Sequence, residues 1–136
     1  MITEVVPTVR GWIKIIGIKP NGERIVLVDK KNALVINAKK IIAQTLGQQS
    51  LFSINTVEVY KTGGLLASTS MIPTFPADEK VKFNGRFNET SFNDTLDEIR
   101  LTSTIGGQFS VVTGLSVLKN NTLQLEIEWL LTINDI

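Results

Sequence analysis

The 136-residue chain contains neither cysteine nor histidine. Without cysteine it has no disulfide, no thiolate metal ligand and no thiol nucleophile of its own. Without histidine it lacks the usual general base near neutral pH, the commonest metal ligand and any histidine-based triad. An excess of one charge is missing too. With 14 basic and 13 acidic residues the net charge is +1, so charge alone does not direct the chain toward nucleic acid or an anionic membrane. Apolar runs extend over only a few residues, and no membrane-spanning helix is expected. The first residues, MITEVVPTVRG, carry an acid where a secretory signal carries bases, and a cleaved signal is not expected.

What is present is alternation. In the last run Leu123, Leu125, Ile127, Trp129, Leu131 and Ile133 fall on one face. Gln124, Glu126, Glu128 and Thr132 fall on the other, with Leu130 among them. A half-buried antiparallel strand needs this pattern, because successive side chains point to opposite faces of a sheet. Similar runs occupy 9–18, 24–29, 56–61, 80–87 and 96–103. Residues 108–118 read as one bent strand or two short ones. Lys19-Pro20-Asn21-Gly22 is a hairpin turn in which proline presets φ and Asn-Gly supplies positive φ. About seven to nine short strands separated by turns favour an antiparallel sandwich over βαβ units.

One segment breaks the period. Asn37 would cap a short α-helix that ends at Gly47, over about 37–47, with Lys39, Lys40 and Gln44 toward solvent. Its expected place is one end of the sandwich. Residues 65–79 read either as an edge strand or, because of Pro73 and Pro76, as a meandering connection. The expected organisation is a short N-terminal arm, 1–8, and one mainly β domain, 9–136, an antiparallel, jelly-roll-like β-sandwich.

No group of residues makes a case for catalysis. Glu126 and Glu128 share a strand face, as a glycosidase pair would, but an exposed face with Lys or Arg opposite accounts for them. Asp94, Asp97 and Glu98 match no calcium-loop spacing and read as solvated. Thr62-Gly63-Gly64 and Gly106-Gly107 lack the strand–loop–helix setting of a phosphate cradle and read as turns. Lys30, Lys31, Lys39 and Lys40 form a local basic cluster on a solvated turn and helix face. Trp12 and Trp129 could stack on sugars, but both sit in alternating strands and are expected in the core, leaving Tyr60, Phe75 and Phe92 as candidates for exposed contacts. The Asn-x-Thr triplets at Asn88, Asn93 and Asn120 are taken as chance matches to the glycosylation sequence. No catalytic residue, cofactor or metal is expected.

The order of elements carries a resemblance. A β-hairpin leads to Lys31-Asn32-Ala33-Leu34-Val35-Ile36-Asn37-Ala38, and Ile41-Ile42-Ala43-Gln44-Thr45-Leu46-Gly47 follows. A strand ends in Gly63-Gly64, then come the VKFNGRF strand, an EIRL strand and the TLQLEIEWLLTI close. Over about 9–133 this resembles small tail-, collar- or fibre-associated virion proteins of bacteriophages. It departs from them at Lys61-Thr62-Gly63-Gly64, where a Gly-x-Gly segment is usual.

The resemblance implies a non-enzymatic structural component of a virion, assembled in the host cytoplasm. Its partners would be other virion proteins and copies of itself in a ring or trimer, without nucleic acid or membrane insertion. The residues to which it directs attention are Pro7, in the arm, Met71, Ile72 and Phe75, in the 65–79 segment, and Tyr60 and Phe92. A capsid-decoration or head-fibre protein is one alternative. A glycan-binding sandwich module, with Tyr60, Arg86 and Phe92 as the residues to test, is another.

Overall fold

The computed structural model describes residues 7–32, 42–43, 54–103 and 107–135. Eleven strands lie among them: β1 (Pro7–Ile18), β2 (Arg24–Asn32), β3 (Thr56–Lys61), β4 (Gly64–Ser70), β5 (Ile72–Ala77), β6 (Lys80–Phe87), β7 (Asp94–Leu96), β8 (Glu98–Ser103), β9 (Gly107–Val112), β10 (Val117–Lys119) and β11 (Gln124–Asp135). They form two main antiparallel sheets in the orders β2-β1-β11-β6-β5 and β4-β3-β8-β9, with β10 and β7 paired separately. This is the expected mainly β, antiparallel sandwich. The expected helix over 37–47 is not borne out beyond Ile42 and Ala43, which are helical; the rest of that span lies outside the described residues.

The C-terminal alternation organises the whole. β11 sits at the centre of the five-stranded sheet, between β1 and β6. Leu125, Ile127, Trp129 and Leu131 point inward and are buried. Register then fixes the neighbours: Ile13 lies opposite Trp129 and Ile15 opposite Ile127 on β1, and Phe83 and Phe87 lie opposite Trp129 and Leu125 on β6. Val57, Val59, Ile99, Leu101, Phe109 and Val112 answer from the four-stranded sheet, and Leu96 and Val117 close the end. Burying such side chains contributes roughly 1.5–3 kcal/mol each.

The sheets meet along two sides. On one, the chain passes from β4, at the rim of the smaller sheet, to β5, at the rim of the larger, through Met71 alone. The Met71 amide donates to the Asn55 carbonyl at 2.8 Å and the side chain is buried. The room it needs is left by Gly85, where an added Cβ would lie 2.5 Å from the Met71 sulfur. On the other side the Asn32 side-chain amide of β2 donates to the Ser110 hydroxyl of β9.

Several turns differ in detail from expectation. At the β1–β2 hairpin only Gly22 takes positive φ, 87°; Asn21 instead accepts the Glu23 amide at 2.9 Å through its side chain. The β3–β4 turn places Thr62 at φ 49° and Gly63 at 78°, and the Asp97 carboxylate accepts the Thr62 amide at 2.8 Å. Two of the Asn-x-Thr triplets are turn devices: Asn88 Oδ1 accepts the Thr90 amide at 3.1 Å and Asn120 Oδ1 that of Thr122 at 2.9 Å, the local bonding that favours asparagine in turns.

Candidate functional site

Three surfaces carry features that a sandwich does not need for its own stability. The first is the outer face of the larger sheet. Because Ile13 and Ile15 point inward, Trp12 and Lys14 must point out. Trp12 faces Leu130 on β11 and Lys31 on β2, and it remains 39% exposed, contrary to its expected place in the core; Trp129 is fully buried as expected. The Trp12 indole N–H donates to the Asp29 carboxylate, and the Lys31 ammonium stands 5.9 Å from the ring centroid. The indole separates two grooves. The larger, about 520 Å³, has Arg10, Lys31, Glu79, Lys80 and Thr132 in its wall. The smaller, about 270 Å³, is lined by Lys14, Lys82 and Glu128, with Trp12 and Leu130 common to both.

The charges on this face are unevenly matched. Glu126 pairs with Arg24 and with Arg86, the latter at 3.5 Å, and Glu128 with Lys82 at 3.8 Å. The carboxylate pair is therefore held by basic residues of β6, next to β11, and of β2, two strands away. Arg10, Lys14, Lys31 and Lys80 have no ion-pair partner among the described residues.

The second surface is a groove of about 580 Å³ over the smaller sheet, lined by Thr56, Glu58, Ser68, Ser70, Arg100 and Thr102 among others. Its charged groups, Glu58 and Arg100, are already engaged. Arg100 lies 3.9 Å from the centroid of the Tyr60 ring and donates to Glu98 at 2.5 Å, while the Tyr60 hydroxyl donates to Glu58 at 3.0 Å. Burial, reinforced by Glu58, raises the Tyr60 pKa above its ordinary value.

The third is apolar. Phe75, on β5, is 74% exposed, and Ile133, near the end of β11, is 51% exposed. Both line a cavity of about 250 Å³ with Val9, Val81, Phe109 and Leu131, where the inner face of the larger sheet runs on to its margin.

The residues singled out from the sequence do not converge. Ile72 is 68% exposed but faces the other side of β5 from Phe75, opposite Asn84. Met71 is buried. Phe92 is buried as well, edge-on to Phe87 with centroids 5.6 Å apart, so it offers no exposed contact. Tyr60 is half-buried beneath Arg100. Pro7 and Thr8, expected in an arm, belong to β1 and pair with Asp135 and Asn134; residues 1–6 lie outside the described residues. The three glycan candidates, Tyr60, Arg86 and Phe92, are on the smaller sheet, on the outer face of the larger sheet and in the core. Asp94, Asp97 and Glu98 have separate partners: Lys61 at 2.7 Å and the Thr95 amide for Asp94, the Thr62 amide for Asp97 and Arg100 for Glu98.

Among the described residues no helix is long and apolar enough to cross a membrane. No family model, curated protein or solved structure matches the chain.

Proposed function

We propose that the chain is a non-enzymatic structural protein that works by assembly with copies of itself and with other proteins, as a tail, collar or fibre-attachment component of a bacteriophage virion. The virion setting rests on the sequence resemblance. The observation that supports assembly is the exposure of Phe75 and Ile133 at the mouth of an apolar cavity. Large apolar groups gathered on a surface favour burial by a partner, and covering a phenylalanine contributes roughly 1.5–3 kcal/mol.

The rims divide the work. β5 is an edge strand that carries Pro73 and Pro76, and proline has no N–H to offer an incoming strand. Its contribution is the Phe75 side chain. β2, the opposite edge, exposes Ile25, Val26 and Leu27 in succession and is the rim suited to strand addition. Closed symmetry, a ring or trimer, satisfies both surfaces without open-ended growth.

Light scattering over a concentration series tests this. A single defined oligomer that Phe75→Ser together with Ile133→Ser converts to monomer is expected. A strict monomer at every concentration rules out self-assembly, and absence of the protein from purified phage particles rules out the virion role.

A further inference from the structure

We propose that the outer face of the larger sheet is a saccharide-binding surface, centred on Trp12, for an acidic oligosaccharide carrying carboxylates on its sugar rings. The saccharide alternative suggested by the sequence thereby moves away from Tyr60, Arg86 and Phe92 to residues on one continuous furrow. Trp12 points from the opposite face of the sheet to the apolar margin around Phe75, and the two regions share only Val9, Glu79 and Lys80 in their walls.

Four observations carry it. The Trp12 ring is partly open to solvent, and its orientation is held by the bond from its N–H to Asp29. A ring fixed in this way is a platform that costs little to order when a flat apolar sugar face stacks on it. Grooves flank the ring on both sides and share Trp12 and Leu130, so an extended chain can cross it with one unit in each groove. Sugar hydroxyls find both donors and acceptors there, among them Thr132, Glu79 and Glu128. Finally, Arg10, Lys31 and Lys80 surround the larger groove against Glu79 in its wall and Asp29 at the ring, while in the smaller one Glu128 is matched by Lys82 and Lys14 has no ion-pair partner among the described residues. In a chain whose net charge is only +1, this local surplus complements an anion.

The same features disfavour a nucleic acid. Single-stranded nucleic acids are held by successive aromatic platforms in an uninterrupted basic groove. Here one ring is available, and Asp29, Glu79 and Glu128 stand among the bases. Carboxylates at that spacing accept hydroxyls but repel a closely charged phosphodiester chain. The groove over the smaller sheet is a weaker candidate because Arg100 and the Tyr60 ring are already engaged with each other.

The two tryptophans make the test direct. Trp129 is fully buried and Trp12 is not, so iodide quenching of intrinsic fluorescence reports on Trp12. The intact chain is titrated with a short oligogalacturonate, its fully methyl-esterified form, and a mixed-sequence DNA single strand. Oligogalacturonate is expected to shield the fluorescence from iodide, with affinity that falls as salt is raised.

By calorimetry, Trp12→Ala is expected to weaken binding about tenfold or more, Trp12→Phe to retain most of it, and Lys80→Gln to weaken the acid but not the ester. Circular dichroism checks that each variant folds; if Trp12→Ala does not, Lys80→Gln and the ester comparison decide. Failure of oligogalacturonate to bind overturns the proposal. Equal binding of the ester overturns its charge requirement, and tighter binding of DNA replaces the saccharide with a nucleic acid.

Discussion

The Lys119 ammonium donates to the Phe92 carbonyl at 2.9 Å from a side chain with no exposed surface. Its other donors reach the Glu89 carbonyl at 2.7 Å and the Asn120 carbonyl at 3.2 Å. Burial lowers its pKa from the ordinary lysine value and the nearby Glu89 carboxylate acts in the opposite sense. Three carbonyls from two loops thus share one cation, which also stands 5.2 Å from the Phe92 ring centroid. Lys119→Met keeps the length of the side chain but leaves those acceptors without it. Urea unfolding is expected to show a loss of about 2–3 kcal/mol, with Phe92 becoming more accessible. A loss under half of the lower figure would mean that water replaces the ammonium at little cost.

Gly85 is inward-facing, opposite Ile127. A methyl group there would meet the Met71 sulfur at 2.5 Å and the Ser70 carbonyl oxygen at 2.9 Å. The thioether can move; the carbonyl belongs to the β4–β5 crossing and cannot move without it. Gly85→Ala is expected to cost about 1–3 kcal/mol. Adding Met71→Ala should fail to restore the native midpoint, since the carbonyl clash persists and a cavity is added.

Thr62 occupies left-handed backbone space at φ 49°, which a β-branched residue adopts only at a cost. Asparagine tolerates that region better. Thr62→Asn keeps the amide that donates to Asp97 and is expected to raise the thermal midpoint by about 2–4 °C. An unchanged or lowered midpoint in scanning calorimetry would contradict the assigned strain.

Asp94 has its pKa lowered from 3.8, first by the hydrogen bond from Lys61 and then by that from the Thr95 amide. A carboxyl group whose folded pKa is depressed adds stability above its unfolded value and loses it as pH falls through the folded value. The native protein should therefore lose stability on acidification below about pH 4. Lys61→Met should make that acid limb shallower and leave the stability at neutral pH little changed, because the pair is exposed. Parallel acid limbs in the two proteins would exclude the pair as a contributor.

How far the sequence led depended on who a segment's neighbours are. β3 and β6 match their expected spans, 56–61 and 80–87, at both ends, since each is an alternating run cut off by turn residues. β1 was ambiguous by itself, with isoleucines on both faces. Only its register against β11 decides: Ile13 opposite Trp129 is in, and Trp12 opposite Leu130 is out. A central strand with an unambiguous pattern thus orients one without, and that long-range pairing is what hid the exposed indole. The 65–79 segment was unclear because its alternation restarts at Met71, where the chain changes sheets. Phe92 was hidden in a polar loop, its burial set by Phe87 across the turn and by Lys119, far later in the chain. A surplus of unpaired bases around Trp12 was partly visible in Lys30 and Lys31, but Arg10, Lys14 and Lys80 join Lys31 there only through the pairing of β1, β2, β11 and β6.

The single-residue crossing at Met71 gives the two layers a spine. Along the opposite margin, among the described residues, Asn32 and Ser110 act as a side-chain clasp. A sandwich bound in this way opens like a book: the clasp side parts first while the spine keeps the covers aligned. Amide protons of β2 and β9 should consequently exchange with deuterium ahead of those flanking Met71, and closing again requires no search for register.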